Sequence, residues 1–136
     1  MKRDRFGPDD GQATAFTVVM VSAFVLCLGL VLDGGGLVRS HTQAIALAQE
    51  AARVGTQQLD WAAYREGGDS VRLDPAAAAA AARGFLAESG ASGTVTVDGD
   101  TVTVTTRVSY DFALLPLGST TVESTASARP YTEPAP

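Results

Sequence analysis

The chain has 136 residues and a formal net charge of −5, a length that holds one small domain and excludes an elaborate multidomain enzyme. From Asp33 onward seven arginines stand against twelve carboxylates with no basic cluster, which argues against a nucleic-acid partner. The single Cys27 excludes an intramolecular disulfide.

In chain order, Met1–Gly11 reads MKRDRFGPDDG and carries Lys2, Arg3 and Arg5. It is followed by Ala13–Leu32, 20 residues without a charge. At about 1.5 Å per residue that run spans about 30 Å as a helix, the thickness of a bilayer's hydrocarbon core. A single helix pairs its own backbone groups, as lipid demands. Thr14, Thr17 and Ser22 are small enough to bond back onto the helix, and Cys27 reads as a structural thiol within it. Lipidation does not suit that cysteine, because Val25 and Leu26 precede it rather than small residues. We take residues 12–33 as a single transmembrane helix in the cell membrane. Lysine and arginine counts across the span set its orientation, which puts the N-terminus in the cytoplasm and the C-terminal domain outside. A cleavable export signal is the alternative; its processing site would fall at Gly34–Gly36.

Asp33 marks the expected membrane boundary, since a carboxylate in hydrocarbon is costly. Gly34, Gly35 and Gly36 each cost about 1 kcal/mol relative to alanine in a helix, so the helix is expected to soften or break there. The triplet is either a flexible hinge or a close-packing site. From Leu37 the helical pattern resumes, with Leu37, Ala44 and Ala51 in one row and Val38, Ile45, Ala52 and Leu59 in the next. This is an amphipathic helix with a broad, alanine-rich stripe. His41, the one histidine, reads as a solvated helix-face residue, with no second ligand to make a metal site.

Two resemblances rest on these residues. Gly11-Gln12 before Ala13-Thr14-Ala15-Phe16 and the apolar run resembles a type IV pilin precursor, in which a prepilin peptidase cuts after the glycine. The plainer alternative is that Gly11 breaks the chain before the helix. The ordered set of Gly11–Thr14, the apolar run, Leu30–Val38 and the alanine-rich 43–54 helix is similar to the TadE/TadG-like proteins of tight-adherence (Flp, type IVc) pilus systems. Its alanine-rich style resembles an actinobacterial type. That resemblance covers residues 11 to about 60. It implies a minor pilin, pseudopilin or assembly component of a pilus or secretion apparatus, with a pilin-like fold. The implied partners are other pilin-like subunits, the assembly machinery, a prepilin peptidase and the lipid bilayer. The glutamate that many pilins carry five residues past the cleavage point is Phe16 here, which resembles the TadG-type members that stay uncut.

Residues 61–74 read as a polar connector whose Trp61 and Tyr64 are expected to pack on the core, with lipid headgroups as the alternative. Asp74-Pro75 supplies an N-cap and a first-position proline for a second helix of about 14 residues, ending near Ser89-Gly90. Thr94–Asp98 and Thr101–Phe112 alternate with period two. A turn on Gly99-Asp100 pairs Val97 with Val102 and Val95 with Val104. A proline-broken apolar stretch, 114–118, leads to a third strand from Ser119, and residues 130–136 form a tail. The expected architecture is α+β: a transmembrane helix continuing into an amphipathic helix, an alanine-rich helix and a three-stranded antiparallel sheet, with the extracytoplasmic domain at 34–129.

No catalytic set assembles from these residues. Gly34–Gly36 lacks the Lys-Ser/Thr of a phosphate loop, and Asp98 and Asp100 are turn formers without the glutamate that would complete a calcium loop. We therefore expect no enzyme activity, no cofactor and no metal. The functional alternative is a membrane-anchored binding or regulatory module of the cell envelope.

Overall fold

The computed structural model describes residues 9–67 and 72–131. The basic arm with Lys2, Arg3 and Arg5, on which the orientation rests, lies outside the described residues, as do residues 132–136 of the tail.

One helix dominates. α1 runs from Asp9 to Thr56, 48 residues, or about 72 Å at the usual rise. Thr17 and Ser22 return their hydroxyls to the carbonyls of Ala13 and Val18 at 2.9 and 2.8 Å, as expected for polar side chains inside an apolar helix. The helix is continuous through Gly34, Gly35 and Gly36, with no break where the glycines were expected to soften it. Packing onto the second half of α1 offsets their intrinsic cost.

After α1 the chain forms α2 (Trp61–Arg65), α3 (Pro75–Glu88), β1 (Ser92–Asp98), β2 (Thr101–Asp111) and β3 (Ser119–Ala128). The strands make one antiparallel sheet in the order β1-β2-β3, so the α+β architecture is as expected. The β1–β2 register pairs Val97 with Val102 and Val95 with Val104. Its two-residue turn depends on Gly99, whose φ of 57° a side chain rarely adopts. α3 begins where Asp74 accepts from the amides of Ala76 and Ala77, both at 3.0 Å. The connector before it is tied at its ends: Leu59 bridges Leu73, and Asp60 N–H donates to Arg72 C=O at 2.9 Å.

The core lies where the sheet covers the second half of α1 and α3. Ala51, Ala52, Ala78 and Ala82 let the two helices and the sheet close on Leu86, Val95, Val102 and Val104. Gly55 is part of this close approach, since a Cβ there would lie 2.9 Å from Val102 Cγ1. Two expectations are corrected. Trp61 and Tyr64 are exposed and stack edge-to-face on each other at 6.2 Å rather than on the core; Asp60, by capping α2, presents both to solvent. Val38 and Ile45 are exposed as well, so the second row of the amphipathic pattern is buried only from Ala52 onward.

Candidate membrane anchor and the Asp33 junction

The two halves of α1 carry different surfaces. Between Phe16 and Leu32, twelve large apolar side chains stand exposed around the helix. A helix apolar on all sides, with none of these large side chains covered, calls for a non-aqueous surrounding. The helix is long and apolar enough to cross a membrane. Cys27 is exposed on that surface.

From Gly29 onward one face carries a seam of small residues. Gly29, Asp33, Ala44, Ala48, Ala51, Ala52 and Gly55 are buried, at the three- and four-residue spacing of a single helix face. The sheet and α3 dock on its upper part. There Thr106 Oγ1, fully buried, donates to the Ala44 carbonyl at 2.8 Å. This threonine sits on the valine face of β2 and pins the sheet to α1.

At the lower part of the seam lies the junction. Asp33 is 1% exposed. Its carboxylate accepts the backbone N–H of Ala113 at 3.0 Å, of Leu114 at 2.9 Å and of Leu115 at 2.7 Å. The Tyr110 hydroxyl donates to the same carboxylate. A carboxylate with four donors is a strong local anchor, because charged acceptors make stronger hydrogen bonds than neutral ones. Burial pushes the Tyr110 phenol up from its ordinary value, and the neighbouring Asp33 charge and hydrogen bond add to that, so the tyrosine stays protonated as the donor. Its ring passes over Gly36, where a Cβ would lie 2.7 Å from Tyr110 Cζ, and packs edge-to-face on Phe112 at 5.3 Å. Below Asp33, a Cβ on Gly29 would meet Leu115 Cδ2 at 3.3 Å. Gly36 therefore has the close-packing role, whereas Gly34 and Gly35 face open space.

The remaining candidates are dispersed. Gly11 lies inside α1, so it does not break the chain before the helix, and nothing approaches it within 4 Å. Gln12 and Phe16 are exposed on the same helix. His41 is exposed beside Val38 and the Thr120–Glu123 edge of β3. Asp98 and Asp100 flank the β1–β2 turn, and Asp100 accepts the Leu73 N–H at 3.4 Å. Among the described residues no three His, Cys, Asp or Glu side chains cluster as metal ligands.

The comparison with protein families falls on α1. Residues 11–58 match the family model of Flp pilus-assembly TadE/G-like proteins. The TadE/G-like segment thus takes in the apolar half, Asp33, the three glycines and the whole small-residue seam, and it stops short of α3 and the sheet. It associates the chain with pilus assembly and agrees with the resemblance drawn from the sequence. No curated protein and no solved structure matches the chain. Outside the TadE/G-like segment, Tyr110 and the 112–118 loop complete the junction with Asp33, which sequence reasoning missed. The available signal was an apolar loop with no polar side chain of its own to satisfy its backbone.

Proposed function

We propose that the protein is a structural, non-catalytic subunit of a Tad/Flp-type pilus or secretion apparatus, a minor pilin or pseudopilin held by one membrane pass. The observation that carries this reading is the coincidence of the TadE/G-like match with α1, a helix apolar on all sides in its first half and docked to its own domain in its second. In this reading residues 1–11 are a cytoplasmic arm or leader, 12–33 the span, and 34–129 the extracytoplasmic domain. Other pilin-like subunits would pack along the exposed apolar half when the helix leaves the bilayer for a filament. Asp33 would then sit at the membrane boundary, and Gly34 and Gly35, free of contacts, are where the helix would bend.

The mature N-terminus of the native protein, determined by intact mass and N-terminal sequencing of a membrane fraction, tests this. A start at Gln12 supports prepilin-type processing by a prepilin peptidase after Gly11. A start at Met1 or Lys2 supports an uncut assembly factor, the outcome that Phe16 in the glutamate position favours. A start beyond Asp33, with the protein in the medium, contradicts a membrane-anchored subunit of either kind.

A further inference from the structure

The 112–118 loop between β2 and β3 has a composition and a bonding pattern that water does not explain. Its sequence, Phe-Ala-Leu-Leu-Pro-Leu-Gly, has no polar side chain. Leu114 and Leu117 are 55% and 64% exposed, so the loop turns apolar side chains outward. Its backbone donors, by contrast, are all paired. Phe112 N–H donates to Gly118 C=O at 3.0 Å and Leu117 N–H to Leu115 C=O at 2.8 Å. The N–H groups of Ala113, Leu114 and Leu115 all go to Asp33, and Pro116 has none to satisfy. Every backbone donor from Phe112 to Leu117 is thus paired without water.

An irregular loop in water has no need of this arrangement; one in a low-dielectric medium does, because an unpaired donor there has no water to bond. Position points the same way. Leu115 packs on Gly29, one helical turn (about 6 Å) before Asp33, alongside the last turn of the apolar run. The exposed leucines therefore continue the apolar surface of Phe16–Leu32 sideways.

We propose that the 112–118 loop is a second membrane contact, with Leu114 and Leu117 seated in the acyl boundary of the bilayer that α1 crosses. This rests on α1 being embedded. A single helix is free to tilt and rotate, whereas a helix with a lipid-seated loop docked beside it has a defined depth and a defined face toward the domain. Asp33 serves this contact by holding the loop's amides. The loop in turn shields the carboxylate, which makes a charge at that depth tolerable.

The test is tryptophan fluorescence of the full chain in vesicles of phosphatidylcholine and phosphatidylglycerol, with and without brominated acyl chains. The native Trp61, the one tryptophan, serves as the reference for the outer domain. Leu117→Trp and, independently, Leu114→Trp are then read in a Trp61→Phe background, with Phe24→Trp as the reference for the span. We expect blue-shifted emission and loss of intensity in brominated vesicles for Leu117→Trp, Leu114→Trp and Phe24→Trp, and no loss for Trp61. Quenching at Phe24→Trp without quenching at either loop position overturns the proposal and leaves the anchor standing. Blue-shifted loop tryptophans that bromine does not quench overturn it in favour of a second protein copy covering the loop. No quenching at Phe24→Trp overturns the anchor and the loop contact together.

Discussion

The two halves of α1 share one backbone and differ in what surrounds them. From Phe16 to Leu32 the large side chains point outward on every side. From Asp33 to Thr56 the buried positions shrink to Gly, Ala and one carboxylate on a single face, and the sheet and α3 close over them. Large apolar residues all round require the solvent to be apolar; small residues in a seam require a partner at close range. One helix therefore carries two different surfaces, and at their junction Asp33 binds the loop amides.

Substitutions that act on one half alone sharpen this contrast. Leu86→Ala empties a position in the core over the second half and is expected to cost about 2–5 kcal/mol. It should lower the Tm of the C-terminal domain without changing how the chain partitions into membranes. Val21→Asp is the converse. A carboxylate at the centre of the span costs about 2.5–3.5 kcal/mol, so the protein should shift from the membrane to the soluble fraction while the C-terminal domain keeps its Tm. Gly55→Val pushes a side chain against Val102 and the Ala78 carbonyl. Overpacking of this kind costs about 1–3 kcal/mol, which denaturant unfolding will read. Asp74→Ala removes the α3 cap and should cost about 1 kcal/mol. The most local change in geometry is Asp33→Leu, which keeps the helix, removes the acceptor and leaves the Ala113, Leu114 and Leu115 amides unpaired. It should speed hydrogen exchange at Ala113, Leu114 and Leu115 and leave the β1–β2 amides protected; equal loss of protection across the sheet would show Asp33 supporting the whole domain.

The parts written in short-range pattern were legible before the structure. The Asp74-Pro75 start of α3 follows from capping chemistry, and the β1–β2 register from valine alternation and a turn that glycine permits. The apolar run announced itself by length and lack of charge. What escaped was long-range. Asp33 reads as a solvated boundary residue until its partners appear 80 residues away. Thr106 was passed over because the alternation was counted in apolar residues, whereas its hydroxyl is the group that reaches the Ala44 carbonyl. Trp61 and Tyr64 read as core residues, with lipid headgroups as the alternative, until α2, capped by Asp60, shows both on its exposed side. The glycine triplet was ambiguous for the same reason: its close-packed member, Gly36, is defined by Tyr110 on another element.

The most direct test of two environments on one helix is a nitroxide scan. Single cysteines from 13 to 56, in a Cys27→Ser background and in bilayers, would be labelled and their oxygen accessibility measured by EPR. The account predicts uniformly high accessibility from Phe16 to Leu28. Beyond Asp33 it predicts a 3.6-residue oscillation with minima at 44, 48, 51 and 55. An oscillation of the same depth running through residues 16–28 would contradict it, since the first half would then be packed against protein rather than lipid.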